Sequence, residues 1–321
     1  MAQQHFLFSV RLVEKLPSLR NLSWRLEAFI VRSLLKLMRT MTPERASRFA
    51  NFTCRNLRFA LPFTKKIQRN LSVAFPQKDK REIQRLTRSV CGNLGNAAAE
   101  LVFAEHIWLE RDERIEFIVE DGVNLDDYRD NAAVMVTGHI GAWQISTFVA
   151  SQYELHVTSI FAPEKNPFLA DLFLGLRTAL PCHWISRDGC MRGLTQELKQ
   201  KHIVGMVTDT RLDSGDPLDF FGVPTPTNTT AARLALRHKC DLLPVRAERL
   251  PDMRFRITVF PPIKAGNPDG TANEQANRMT QELLAHFESW VRDTPDQWMC
   301  FGRRWPHEAY AAVARNTHPP P

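Results

Sequence analysis

Short apolar segments alternate with helical patterns through the second half of this 321-residue sequence, and this alternation most limits its fold. A short apolar run bounded by turn residues is typical of a buried strand. The candidate strands are Ala132–Thr137, Val157–Phe161, Val204–Val207, Leu242–Val245 and Phe255–Phe260. The candidate helices between several of them are Pro167–Ala179, Met191–Gln200 and Thr229–His238. We therefore expect an α/β fold with a central mixed, largely parallel sheet flanked by helices.

Positive charge is concentrated at the N-terminus. The net charge of the chain is +7, yet residues 1–69 alone hold 14 Lys and Arg against three Glu. Residues 6–40 alternate apolar and basic residues at helical spacing, which predicts a basic amphipathic helix. The apolar residues expected to share one face of this helix are Trp24, Phe29, Ile30, Leu34, Leu35 and Met38. The cations expected to lie elsewhere are Arg25, Arg32, Lys36 and Arg39.

This helix has two interpretations. It can lie in a membrane interface with its cations near anionic headgroups, or it can pack on its own domain and leave a basic face in solvent. The confinement of the charge excess to one end favours the membrane. We expect residues 1–60 to be a helical membrane-associating extension, residues 61–310 the main domain, and residues 311–321 a disordered tail.

Several classes of protein are disfavoured by the sequence. Its six cysteines form no CxxC pair and no Cys/His ligand spacing, which favours free thiols over a zinc site or a disulfide framework. Arg11, Glu14 and Lys15 interrupt the apolar N-terminus, unlike a secretory signal. The longest stretch without Asp, Glu, Lys or Arg, residues 131–153, has two glycines and a histidine in its middle, so we expect a strand and turn there and no certain transmembrane helix.

The sharpest local motif is Thr137-Gly138-His139-Ile140-Gly141-Ala142-Trp143-Gln144, placed where a strand gives way to a helix. A histidine there would lie at the carboxyl edge of the sheet, where open α/β folds usually bind ligands. Gly138 and Gly141 would let the backbone approach a substrate, and free amide groups beside them would stabilise a developing oxyanion. The alternative is a core histidine in a tight turn.

A second motif begins at the end of another candidate strand. Thr208-Asp209-Thr210-Arg211 is followed by Asp219-Phe220-Phe221-Gly222 and then by a stretch of small residues that can start a helix. Taken alone, this pattern predicts only a loop followed by an N-capped helix.

Two further segments make the set specific. Asn70-Leu71-Ser72-Val73-Ala74-Phe75-Pro76 stands near the start, and the end of the chain holds Glu288-Ser289-Trp290-Val291-Arg292, Pro295-Asp296-Gln297-Trp298 and Arg303-Arg304-Trp305. With the two motifs above, and in the same order and spacing, residues 60–306 resemble the lipid A biosynthesis late acyltransferases. These lauroyl and myristoyl transferases of Gram-negative bacteria belong to the lysophospholipid acyltransferase-like group. Each segment alone is weak evidence.

The resemblance implies a catalytic histidine followed five positions later by Glu or Asp. His139 fills the first position and would act as general base on the acceptor hydroxyl, whereas the second position holds Gln144. Glutamine can hold an imidazole tautomer but offers no negative charge to an imidazolium. Three explanations stay open: a working His–Gln pair, a carboxylate from elsewhere such as Asp209, or a weakened catalyst.

The resemblance also implies substrate-binding residues. Arg177 matches an arginine that follows a helix opening with Asn-Pro, and its fork would suit a phosphate or carboxylate. Asp209 would position Arg177 or a sugar hydroxyl, and Phe220, Phe221 and Gly222 would shape the acyl or acceptor groove. The alternative for Arg177 and Asp209 is a structural ion pair.

The function implied is O-acyl transfer from an acyl carrier protein thioester, with acyl-CoA as a less favoured donor, to a hydroxyl of a lipid A precursor or similar amphiphile. No metal or organic cofactor is implied. The expected location is the cytoplasmic face of the bacterial inner membrane, with the membrane surface as a partner. The alternatives are an acyltransferase for another glycolipid or an amino-acid lipid, and a non-catalytic lipid-binding homologue that lost the acid. Nucleic-acid binding is disfavoured because the basic segment lacks a recognised module.

Overall fold

The computed structural model describes residues 17–265 and 270–316. Residues 6–16 of the expected N-terminal helix and residues 317–321 of the expected tail lie outside the described residues. The strands are β1 Ile115–Val119, β2 Ala133–Thr137, β3 Val157–Phe161, β4 His183–Ser186, β5 Ile203–Val207, β6 Arg211–Phe220, β7 Val223–Thr227, β8 Asp241–Leu250 and β9 Arg254–Val259.

The α-helices flank these strands. They are α1 Pro17–Met38, α2 Pro43–Asn56, α3 Thr64–Ala74, α4 Lys80–Val102, α5 Ala104–Leu109, α6 Arg111–Arg114, α7 Phe148–Gln152, α8 Pro167–Arg177, α9 Met191–Lys199, α10 Thr230–His238, α11 Ala272–Asp293 and α12 His307–Asn316. Short 3₁₀ turns span Arg58–Ala60, Leu125–Arg129, Ile145–Thr147 and Pro295–Gln297.

Seven strands form one mixed sheet in the order β1-β9-β8-β2-β5-β3-β4. The pairs β8–β2, β2–β5, β5–β3 and β3–β4 are parallel, whereas β9 pairs antiparallel with β8. The α/β class with a largely parallel sheet is therefore confirmed. All five candidate strands and all three candidate helices are present. The sequence reasoning missed β1, β4 and the separate β6–β7 hairpin.

The sheet is buried on both faces. Successive residues of a strand point to opposite sides, so burial of neighbouring residues reports on the two faces. All five residues of β2 are buried. Val134 and Val136 belong to one hydrophobic cluster, which includes side chains of α3, α10 and α11. Ala133 and Met135 belong to another, which includes side chains of α1, α2 and α7. A continuous apolar run such as β2 is what a strand covered by helices on both sides requires.

Helix α1 has a packed face and an exposed apolar face. Ala28, Leu35 and Met38 are buried in or against the main domain, whereas Phe29 is 68% exposed. The expectation that Phe29 shares a face with Met38 was therefore wrong. Their separation of nine positions turns the helix through roughly 900°, at about 100° per residue, and so places them on opposite sides.

Two of the expected domain boundaries fall within packed or helical structure. In α2, Ala46 and Ala50 are buried in the cluster that holds Ala99 of α4, so the expected boundary after residue 60 separates segments that share one core. Residues 311–316, expected to be disordered, form the last part of α12. Within the described ranges, no helix is long and apolar enough to span a bilayer.

Candidate active site

Two adjacent parallel strands bring the central polar residues of the site together. Strand β2 ends at Thr137 and β5 ends at Val207, and these two residues are directly paired in the sheet. His139 and Asp209 each follow two positions later. The carboxyl ends of parallel strands meet at one edge of a sheet, which is where open α/β folds place ligands. The site predicted around His139 therefore lies at that edge.

His139 and Asp209 form a hydrogen-bonded pair. Nδ1 of His139 lies 2.7 Å from Oδ1 of Asp209. The Asp209 side chain is almost fully buried, at 4% exposure, whereas that of His139 is 31% exposed. An ionised carboxylate only accepts hydrogen bonds, so Nδ1 carries the proton in this pair. Nε2 is then the imidazole atom that can take a proton from a hydroxyl.

The two groups shift each other's titration. Burial lowers the pKa of His139, but the charge of Asp209 and its hydrogen bond outweigh burial, so the pKa of His139 is raised. Burial raises the pKa of Asp209, but the charge and hydrogen bonds of His139 and the indole of Trp298 leave the pKa of Asp209 lowered. Each partner thus favours the charged form of the other.

The segment after α11 holds this pair in place. Nε1 of Trp298 donates to Oδ2 of Asp209 at 3.1 Å, which occupies the second carboxylate oxygen. The amide of Met299 donates to the carbonyl of His139 at 2.8 Å, and Trp298 forms an antiparallel bridge with Ile140. The sequence motif Pro295-Asp296-Gln297-Trp298 gave no indication of this contact of Trp298.

The turn after His139 packs tightly against β8. Gly141 has φ of +64°, and a Cβ there would lie 2.1 Å from the carbonyl oxygen of Ala247. Its amide donates to the carbonyl of Gln297 at 3.0 Å, and the amide of Ala142 donates to Ala247 at 2.8 Å. The glycine is required by this close approach. An oxyanion role for Gly141 would need its hydrogen bond to Gln297 to open, and such a role for Gly138 stays a prediction.

A buried ion pair supports the same turn. Glu100 of α4 is fully buried and pairs with Arg249 of β8 through two hydrogen bonds, one of them 3.0 Å long. Nη2 of Arg249 also donates to the carbonyl of Gly141 at 3.0 Å. Arg249 therefore links α4, β8 and the turn that carries His139. Sequence spacing gives no signal for this pair, whose members lie 149 residues apart.

Gln144 does not join the pair in this structure. Nδ1 of His139 is bonded to Asp209, and Oε1 of Gln144 is buried without a hydrogen-bond partner among the described residues. Of the three explanations left open by the sequence, the geometry supports a carboxylate brought from elsewhere, and that carboxylate is Asp209.

Comparison with known proteins shows the family to which this chain belongs. A family model described as bacterial lipid A biosynthesis acyltransferase matches residues 13–307. The chain belongs to this family. Phosphatidylinositol mannoside acyltransferase from two strains of Mycobacterium tuberculosis is 26% identical over 174 residues, covering 52% of this chain and 54% of the relative. The chain thus spans about half the length of the curated relatives it matches.

Arg177, which the resemblance to this family made a substrate-binding candidate, ends α8. Its guanidinium pairs with Glu164 at 3.3 Å and lies 5.8 Å from the ring centre of Phe161, the last residue of β3. Asp209, expected to position Arg177 or a sugar hydroxyl, is bonded to His139 and Trp298 and not to Arg177, and its contact with a sugar hydroxyl stays a prediction. Substrate binding by Arg177 stays a prediction.

The three hairpin residues predicted to shape a groove have different surroundings. Phe220 is fully buried between Trp298 and Trp305, so it packs in the core, and a groove role for it stays a prediction. Phe221 and Gly222 are the two turn residues between β6 and β7, with φ of +55° and +70°. Phe221 stacks on Trp298 with ring centres 6.3 Å apart.

A phenylalanine at positive φ is strained, by roughly 1–3 kcal/mol, and persists only where its surroundings hold it. The amide of Phe221 donates to Oε1 of Glu288, and the Arg292 guanidinium lies 4.7 Å from its ring centre. Glu288 and Arg292, the first and last residues of the motif at 288–292, thus hold the hairpin tip beside Trp298. A groove role for Phe221 and Gly222 stays a prediction.

Proposed function

We propose that this protein is an O-acyltransferase that moves a fatty acyl chain from an acyl carrier protein thioester to a hydroxyl of a lipid. The observation that carries this proposal is the 2.7 Å contact between His139 and Asp209, within the segment that the family model matches. A histidine oriented by a buried carboxylate is the usual device for removing a proton from a hydroxyl at neutral pH.

The proposed reaction gives His139 and Asp209 separate roles. Nε2 of His139 takes the proton of the acceptor hydroxyl while that oxygen attacks the thioester carbonyl carbon. The resulting tetrahedral intermediate loses the carrier thiolate, and the imidazolium returns the proton to the sulfur. The products are an ester and a free thiol. Asp209 stabilises the imidazolium between these two transfers, and its lowered pKa keeps it ionised for that purpose.

The proposed acceptor rests on the comparisons with known proteins. The proposed donor rests on the positive charge of the N-terminal segment. The description of the family supports a lipid A precursor as the first acceptor. The similarity to a phosphatidylinositol mannoside acyltransferase supports another glycolipid as the second candidate. An acyl carrier protein is acidic, and the basic N-terminal segment would attract it through the same field that attracts anionic lipid. Acyl-CoA is the less favoured donor.

We place the protein on the cytoplasmic face of the bacterial inner membrane, attached through α1. Leu22, Leu26, Phe29 and Leu37 of this helix are 44% to 68% exposed and recur at helical spacing, and we call this set the apolar stripe. Arg25, Arg32 and Lys36 are exposed and border the stripe on one side. An exposed apolar stripe bordered by cations suits an interface with anionic headgroups.

A non-catalytic lipid-binding role is less well supported. That alternative depended on the loss of the acid from the family motif at Gln144. Asp209 supplies a carboxylate at the imidazole from the neighbouring strand, so the loss at Gln144 does not leave His139 without a charged partner.

The proposal is tested with the purified full-length protein. It is incubated with acyl carrier protein thioesters or acyl-CoA and with either a lipid A precursor or a mannosylated phosphatidylinositol, and products are read by mass spectrometry. We expect an acylated lipid with the carrier thioester, and a loss of at least about 100-fold in rate in His139→Ala. His106→Ala is the control, because His106 is a surface histidine of α5 paired with Glu110. Acylation that survives in His139→Ala, or no acylation with any of these pairs, contradicts the proposal.

A further inference from the structure

Three histidines form a column at the edge of the sheet opposite His139. His202 and His156 directly precede β5 and β3, and His183 is the first residue of β4. These three strands are neighbours, so their first residues lie one strand spacing apart, about 4.8 Å. The ring of His156 accordingly stacks on that of His202 with centres 3.7 Å apart and on that of His183 with centres 4.7 Å apart.

One carboxylate joins this column. Glu197 lies near the end of α9, and its Oε2 is 2.8 Å from Nδ1 of His202 and 3.6 Å from Nε2 of His156. One oxygen is therefore shared by two imidazole nitrogens, and the longer distance exceeds that of a normal hydrogen bond. The available ligand atoms of His156, Glu197 and His202 all lie within 4.8 Å of one another.

These distances match the spacing of ligands around a single metal ion. Zinc binds imidazole nitrogen at about 2.0–2.1 Å and carboxylate oxygen at about 2.0–2.2 Å, so two ligands of a tetrahedral ion are about 3.3 Å apart. The two observed separations, 2.8 Å and 3.6 Å, fall on either side of that value. The rings of His156 and His202 are stacked with their planes inclined by 21°, so both would have to rotate for one ion to lie in the plane of each.

We propose that His156, Glu197 and His202 bind a divalent transition-metal ion, with zinc as the first candidate. Two imidazoles and one carboxylate suit Zn²⁺ and other late transition metals better than Mg²⁺ or Ca²⁺, which prefer an all-oxygen set. The three side chains leave a fourth position for water, because the site opens to solvent at His156, whose side chain is 43% exposed.

The metal would act on the fold rather than on acyl transfer. His202 precedes β5 and Asp209 follows it, so these two residues are roughly 20 Å apart at about 3.3 Å per residue. The ion would join the starts of β3 and β5 to the end of α9. It would stabilise the folded state because it binds that state and not the unfolded chain. This inference does not rest on the proposed acyl transfer.

The test measures zinc binding to the full-length protein purified without a histidine tag, by competition with a chromophoric chelator. We expect one zinc ion per chain with a dissociation constant below about 1 µM. His156→Ala and His202→Ala should each weaken binding at least tenfold. His106→Ala should bind like the parent, because His106 is also 43% exposed and pairs with a single carboxylate, 3.2 Å away. Equal binding by the parent and His156→Ala, or no binding to the parent, overturns the proposal.

If an alanine variant does not fold, a second measurement on a more conservative variant still tests the proposal. Glu197→Gln keeps the size of the side chain but removes its charge, so it should fold and lose at least tenfold in zinc affinity. Saturating zinc should raise the thermal midpoint of the parent by on the order of 5 °C and leave that of Glu197→Gln unchanged. An equal rise in both proteins would show that zinc binds elsewhere and would overturn the assignment.

Discussion

Asp209 and His139 are 70 residues apart in the chain, yet their side chains meet at 2.7 Å because β5 and β2 are parallel neighbours. The charge partner of the imidazole thus comes from the next strand and not from the fifth position after the histidine. This relationship explains how a chain with glutamine at that position can still present a histidine paired with a carboxylate. Trp298 completes the arrangement by donating to the other carboxylate oxygen.

The pair should make stability depend on pH in a defined window. The lowered pKa of Asp209 adds stability above its unfolded pKa of about 4, which is lost as pH falls through its folded pKa. The raised pKa of His139 adds stability below its unfolded pKa of about 6.5, which is lost as pH rises through its folded pKa. The two contributions coincide between about pH 4 and pH 6.5.

We therefore expect Asp209→Asn to lower the free energy of unfolding most at about pH 5–6 and less at about pH 9, as measured by urea denaturation. Asp213→Asn is the control, because exposed Asp213 pairs with two guanidinium groups, those of Arg211 and Arg303, and not with an imidazole. Its effect should be the same at both pH values. A pH-independent effect of Asp209→Asn would mean that His139 does not charge beside it.

The ion pair beneath the turn that carries His139 should be costly to break. Arg249→Met leaves fully buried Glu100 without its partner, which costs about 3–5 kcal/mol of unfolding free energy. Arg256→Met breaks the exposed pair of Arg256 with Glu116 and should cost less than about 1 kcal/mol. Chemical denaturation measures both. Equal losses would show that Glu100 finds another partner in the variant.

The apolar stripe should govern membrane attachment. Leu22→Asp combined with Phe29→Asp places two charges on the stripe without touching the buried Leu35 and Met38, which a deletion of residues 1–40 would remove. We expect this variant to stay in the supernatant when sedimented with vesicles containing anionic lipid, whereas the parent pellets.

The matched control for the stripe carries the same charges on other exposed apolar residues. Leu109 of α5 is 72% exposed, so Leu109→Asp combined with Met191→Asp should pellet like the parent. Loss of both double variants from the vesicle pellet would mean that added negative charge, and not the stripe, controls attachment.

The sequence predicts the central strands β2 and β5 well because each is an almost entirely apolar run between turn residues. It predicts β4 poorly, because His183–Ser186 lies at the sheet edge and lacks such a run. The β6–β7 hairpin was missed for a physical reason: its turn is Phe221-Gly222, where a bulky residue at positive φ replaces the usual Asn or Gly.

The sequence predicts those residues of the site that are placed by local spacing. It does not predict those that are brought together by tertiary contacts. His139 follows directly from its position after β2. Its partner could not be chosen from the sequence, because Gln144 and Asp209 were both open until the strand order put β5 beside β2. The face of α1 that holds Phe29 was misjudged because the apolar residues of this helix cover two faces, and only packing separates them.

The most direct test of the account compares Asp209→Asn with Gln144→Met, a change that keeps the shape of the Gln144 side chain. Turnover is measured against pH with the same thioester donor and lipid acceptor. We expect Asp209→Asn to lower turnover by at least about 100-fold and Gln144→Met by less than about threefold. The acidic limb of the Asp209→Asn profile should also move to lower pH, because burial alone then lowers the pKa of His139. A large loss in Gln144→Met together with a nearly unchanged Asp209→Asn would contradict the account.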